Sequence, residues 1–180
     1  MAIDRAGKRL FVAASNDNRI DVVDLATRKV VSHIPSGPDP ERFALSPDEK
    51  TLYVTNGSTI IALDVQDDGS TVNRRDFARL EAGGNGDGMA VDAPGRLYVT
   101  SAPGVQVFGS DGKYLGLIPT PRNAISVAFA GPNKQTLYVV GSGALGPDGK
   151  EFTTPDGVRN NAKTIYKLPM LARGFAGRAK

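Results

Sequence analysis

The chain predicts an all-β fold, a β-propeller of four blades of four-stranded antiparallel sheet with the last blade incomplete. Three observations predict it. The segments RLFVA, TLYVT, RLYVT and TLYVV put equivalent leucines at Leu10, Leu52, Leu97 and Leu137, spaced 42, 45 and 40 residues apart, and a repeat of this length marks a modular architecture. Upstream of each lies a matching apolar segment that ends in a turn: AIDRAG, ALSPDE, AVDAPG and AFAGPN. The 21 glycines and 12 prolines among 180 residues exceed their usual combined share of about 12%, so turns are frequent and long helices scarce.

Each unit then reads in order. Its first strand is the short apolar segment, and its second is the leucine segment. The third is RIDVVDL, TIIALDV, GVQVFGS or TIYKLP, rich in the β-branched and aromatic residues that suit a pleated surface. Units one to three add a fourth, KVVSHIP, DFARL and YLGLIP. Between them sit SPDEK, QDDGS, SDGK and DAPGR, residues that supply the φ values a reversal requires. A meander of this kind has two apolar faces, and stacking neighbours about an axis buries both. The expected domain is single, residues 1–180, with blades at about 1–42, 43–86, 87–124 and 125–180. After Pro169 the run MLARGFAGRAK makes a poor strand and nothing precedes Met1 to replace it. The seam is therefore expected to stay open, as an open arc or a fragment of a larger propeller. Its edge invites pairing into a homo-oligomer.

Composition limits the partners. With 40% hydrophobic and 23% charged residues the chain is globular rather than disordered. A net charge of +3 is too balanced for nucleic acid or anionic lipid as the main partner. No apolar run approaches the length of about 20 residues that a membrane span needs, and no signal peptide is written in this chain. A soluble protein is expected, cytoplasmic as given and periplasmic if the N-terminus is truncated. The absence of cysteine removes disulfides, thiolate metal sites and cysteine nucleophiles.

Two resemblances follow from longer stretches. Residues 2–55 resemble the YVTN-repeat propellers of surface-layer type, through Tyr53-Val54-Thr55-Asn56 preceded by GPDPERFALSPDEKTL, and through NRIDVVDLATRKVVSHIPSG. From Asn56 to Lys180 the chain resembles the senescence-marker-protein/gluconolactonase/luciferin-regenerating-enzyme-like family of six-bladed lactone hydrolases. ALDVQDDGSTVNRRDFARLE, GNGDGMAVDAPGRLYVTSAPGVQVF, SVAFAGPNKQTLYVV and KTIYKLPMLARGFAGRAK carry that likeness. Two propeller dialects in one chain imply a recombined, truncated or engineered sequence.

The second resemblance implies divalent-metal-dependent hydrolysis of a sugar lactone at the propeller axis. The ion, calcium first and zinc second, polarises the carbonyl and lowers the pKa of a water, with an aspartate assisting proton transfer. The family's aspartate in an N-G-D-G turn before an inner strand falls on Asp87, the implied catalytic residue and metal ligand, with Asn85 beside it. Gly86 and Gly88 are expected to let the backbone turn tightly there. A second ligand position falls on Glu41 of PERFALSPD, while the first-blade glutamate has no counterpart and the fourth blade offers Ile125. Asn123, and Arg159 and Asn160 at the end of a long loop, are expected to line the substrate mouth. Asp87 also reads as a turn aspartate bonded to local amides, and Glu41 as a solvated loop residue. The alternative function is a non-catalytic YVTN-type propeller that binds a protein or small ligand.

Other motifs read as structure. Gly141-Ser142-Gly143-Ala144-Leu145-Gly146 matches the dinucleotide fingerprint, but PDGKEFTTPDG follows where a helix is required. Asp64 to Gly69 begins like a calcium loop, yet its twelfth position is Arg75. His33, the sole histidine, lies in the outer run KVVSHIP, and no G-x-S-x-G supplies a nucleophile. Asn56-Gly57-Ser58 reads as a hairpin turn.

Overall fold

The computed structural model describes residues 1–4, 6–37, 40–151, 155 and 163–176. Alternating apolar residues make four antiparallel meanders, each running outward from its first strand. The first sheet holds β1 (Ala2–Ile3), β2 (Arg9–Ala14), β3 (Arg19–Asp24) and β4 (Lys29–Pro35). The second holds β5 (Pro40–Leu45), β6 (Thr51–Asn56), β7 (Thr59–Val65) and β8 (Thr71–Arg79). The third holds β9 (Met89–Val91), β10 (Leu97–Ser101), β11 (Gly104–Phe108) and β12 (Tyr114–Pro119). The last has three strands, β13 (Ala124–Ala130), β14 (Thr136–Ser142) and β15 (Lys163–Pro169). This is a four-bladed β-propeller arrangement with an incomplete final blade. Among the described residues no helix is long and apolar enough to cross a membrane.

The period-2 alternation of a strand decides which neighbour each residue meets. The repeat leucines Leu52, Leu97 and Leu137 are fully buried against the preceding sheet, and the tyrosines that follow two of them, Tyr53 and Tyr98, are buried against the next. Three hydrophobic clusters result, one at each successive boundary: Phe11, Ile20 and Val22 with Leu52 and Val54; Ile60 and Tyr53 with Leu97 and Val99; Tyr98 and Val105 with Leu137 and Val139. The inner strands pack in the sequence β1, β5, β9, β13. Among the described residues the first and last sheets share no cluster, so the four blades form an open arc. Leu10 is accordingly only half-buried. It shares a row with Ile3, Val23 and Val30, and Ile3 and Val30 are exposed.

Residues 170–176 add no strand to the last sheet and dock across the end of the inner strands instead. Met170 and Gly174 donate N–H groups to the carbonyls of Gln135 and Lys134, Ala93 donates to Arg173, and Phe175 donates to Val91. The segment bridges the fourth sheet to β9 and closes around Asp92, which is fully buried. Its carboxylate accepts from Arg96 Nε at 2.6 Å, the Arg96 N–H at 2.8 Å and the Tyr98 hydroxyl at 3.2 Å.

Candidate active site at the head of the inner strands

The heads of β5 and β9, from adjacent blades, meet at the opposite end. The β5–β6 ladder pairs Pro40 with Asn56 and then Phe43 with Val54, so Glu41 and Arg42 together face one residue, Thr55. That is a bulge, which unpairs backbone groups and re-aims side chains. Thr55 is 1% exposed, and its hydroxyl replaces the lost ladder: it accepts from the Arg42 N–H and donates to the Arg42 carbonyl, both at 3.1 Å. In the next blade the Gly86-Asp87-Gly88 segment runs beside β10. The Asp87 N–H donates to the Thr100 carbonyl at 3.1 Å, and the Thr100 N–H and hydroxyl both donate to the Gly88 carbonyl.

The flanking glycines answer to space rather than to a tight turn. Neither Gly86 nor Gly88 has a left-handed φ. A Cβ at Gly86 would stand 2.9 Å from the Thr55 methyl, and one at Gly88 would stand 2.6 Å from the Ser126 Cα of β13. The sequence expectation of a turn requirement is corrected on that ground: the turn-bearing segment is wedged between blades two and four, and side chains there do not fit.

Asp87 differs from the turn aspartates Asp24, Asp48, Asp68 and Asp111. Its side chain is 32% exposed, and its carboxylate lies 4.0 Å from Arg42 Nε across the blade boundary. Burial raises its pKa, and the Arg42 charge opposes that rise. Among the described residues its carboxylate accepts no hydrogen bond and it is the one carboxyl raised above its ordinary value. Asp24, Asp48, Asp68 and Asp111 are all held below theirs by hydrogen bonds from their own turns.

The remaining expected residues do not gather around it. Glu41 lies on β5 next to Arg42, and its side chain is outside the described structure. Asn85 is exposed, with its Oδ1 over the Gly57 turn, 3.9 Å from where a Cβ would stand. Asn123 is exposed at the head of β13, where its carbonyl accepts from the Ser142 N–H at 2.8 Å. Arg159 and Asn160 lie outside the described residues. Among the described residues no three carboxylate or imidazole groups cluster to hold a metal ion, and the charge that faces Asp87 is the Arg42 guanidinium. Such a donor set does not fit calcium, which takes six to eight oxygens.

Sequence reasoning missed Arg42, Thr55 and Thr100. The signal was in the repeat: the fourth position of the leucine segment, counted with leucine as the first, is Thr55 and Thr100 in units two and three but Ala13 and Val140 in units one and four. A large depression of about 770 Å³ lies at the far end, by Lys50, Asp64 and Asp68. Two of its carboxylates are already engaged, Asp64 by Asn73 and Arg75 and Asp68 by Ser70.

Residues 40–143 match the family described as SMP-30/Gluconolactonase/LRE-like region. The chain is 31% identical over 140 residues to a gluconolactonase of Zymomonas mobilis, covering 71% of this chain and 36% of that protein. It is 30% identical over 182 residues to pentonolactonase XacC of Haloferax volcanii, covering 97% and 58%. Among solved structures, a luciferin-regenerating enzyme superposes with a TM-score of 0.71 at 25% identity, over 88% of this chain and 54% of that one. The chain thus spans between a third and three-fifths of the length of these relatives.

Proposed function

The chain belongs to the SMP-30/gluconolactonase/LRE-like family, and from that premise we propose that it hydrolyses a sugar lactone at the head of its inner strands, with Asp87 as general base. The observation that carries the reading is the state of Asp87: a partly buried carboxylate with no hydrogen-bond donor on it among the described residues and a raised pKa, at the boundary of two blades. Such a carboxylate is a stronger base than a turn aspartate whose lone pairs are taken. Asp87 takes a proton from the attacking water as the water oxygen bonds to the lactone carbonyl carbon. The ring C–O bond then breaks, and the proton passes from Asp87 to the departing ring oxygen, leaving a hydroxy acid.

A divalent cation, calcium in the first instance, is the finer part of the family reading. The described donors do not fit one, so no step above runs through it. The test is opening of gluconolactone by the purified chain against the buffer rate, with added calcium and with chelator, for wild type and Asp87→Asn. Hydrolysis above buffer that Asp87→Asn loses supports the reading. Equal rates for wild type and buffer with and without calcium replace it with a ligand-binding propeller.

A further inference from the structure

Resting on that lactone-hydrolysis reading, we infer that Arg42 takes the carbonyl oxygen of the lactone and that Thr55 is the positioning residue that holds it opposite Asp87. An ion pair at 4.0 Å between part-exposed groups is by itself of little energetic consequence. The backbone beneath it is what sets this pair apart. Arg42 stands on a bulge, where two residues oppose one, and a buried threonine satisfies both of its main-chain groups. The same threonine presses its methyl group on Gly86, the residue before Asp87. One side chain therefore sets the heads of two neighbouring inner strands, its hydroxyl on the arginine side and its methyl on the aspartate side. Thr100 holds the other flank through the Gly88 carbonyl.

The chemistry of this pair suits ester opening. When water adds to the carbonyl carbon, negative charge develops on the carbonyl oxygen, and the guanidinium, carried on a main chain that Thr55 holds in place, donates hydrogen bonds to it as that charge grows. Asp87 takes the proton of the water. On collapse the ring C–O bond breaks, the ring oxygen receives that proton, and Arg42 is left facing the carboxylic acid group of the product, which then loses its proton to water.

The test measures kcat and KM for gluconolactone with Arg42→Ala, Arg42→Lys, Thr55→Val and Thr55→Ser, with and without free guanidinium, thermal melts reporting folding. Arg42→Ala is expected to lower kcat/KM about 100-fold, mostly in kcat, and millimolar guanidinium to restore part of it. Arg42→Lys falls between, since an ammonium lacks the planar fork. Thr55→Val, which keeps the shape and loses the hydroxyl, falls about 10-fold and is not rescued by guanidinium, whereas Thr55→Ser stays near wild type. Arg42→Ala turning over at the wild-type rate, or failing to respond to guanidinium, overturns the inference and leaves lactone hydrolysis standing. A wild-type chain that opens no lactone overturns both. If Thr55→Val does not fold, the two Arg42 variants with guanidinium decide the matter.

Discussion

At the far end of the sheets, Asp24, Asp48, Asp68 and Asp111 are consumed by their own turns, whereas at the head of the inner strands Asp87 is not. Asp24 accepts from the Thr27 N–H and hydroxyl, Asp48 from Ser46 and Lys50, Asp68 from Ser70, and Asp111 from the Lys113 N–H. Asp92 is buried but fully satisfied by Arg96 and Tyr98. Asp87 also sits in a loop leading to a strand, yet Gly86 and Gly88 press its backbone against two other blades and no local amide reaches its carboxylate. One residue type in similar loop contexts thus serves its own turn at one end and, among the described residues, is left without a hydrogen-bond donor at the other. What separates the cases is the packing of neighbouring blades.

Substitutions sharpen or break this contrast. The largest expected effect is at Asp92. Asp92→Ala strands the buried Tyr98 hydroxyl and removes the partner of Arg96, at a cost of about 3 kcal/mol in urea unfolding. Tyr98→Phe is expected to cost about 1 kcal/mol. The Tyr98 hydroxyl, pushed up to about 12 by burial and then by Asp92, stays protonated across the working range. Next is Gly88→Ala, whose methyl group meets the backbone of Ser126 and Val127, an overpacking that costs about 2 kcal/mol by the same measurement. If Gly88→Ala is neutral, the wedge between blades is not what shapes the Asp87 loop.

Two carboxylates should then respond to pH in opposite directions. Asp48 has its folded pKa depressed, first by the Ser46 hydroxyl and then by the Lys50 N–H. Its contribution is therefore present above its unfolded value, near 4, and is lost as pH falls through the folded value. Asp48→Asn is expected to lower stability by about 0.5 kcal/mol at neutral pH, solvent screening included, and to make no difference in acid. Asp87 has its folded pKa raised, chiefly by burial. Its contribution is present below the unfolded value and is lost as pH rises through the folded one. Asp87→Asn should thus leave the melting midpoint unchanged or slightly raised at neutral pH, the smallest effect of the series, while hydrolysis falls. A clear drop in that midpoint makes Asp87 one more structural turn aspartate and removes the contrast.

Much of this was legible in the repeat. Leucines 42, 45 and 40 residues apart locate the second strand of each blade, and the lack of a strand over residues 170–176 agrees with their glycines and basic residues, which do not sustain a ladder. Asp87, the proposed base, was picked out by family likeness and its N-G-D-G surroundings. Arg42 was not, because a charged residue in PERF reads as solvated loop, and a bulge that turns it toward the next blade has no signature in composition. The reason for Gly86 and Gly88 was hidden likewise: sequence offers a glycine's φ freedom as the default explanation, whereas the neighbours that exclude a Cβ are about 30 to 40 residues away, at Thr55 and Ser126.

The amino-acid sequence by itself determined the all-β class and the number of units, because strand alternation, turn residues and a repeat are local properties written along the chain. Only the tertiary structure decided that Arg42 of one blade faces Asp87 of the next and that Thr55 sets both. Those relations depend on how blades stack, and stacking joins residues far apart in the chain through contacts that no local pattern records.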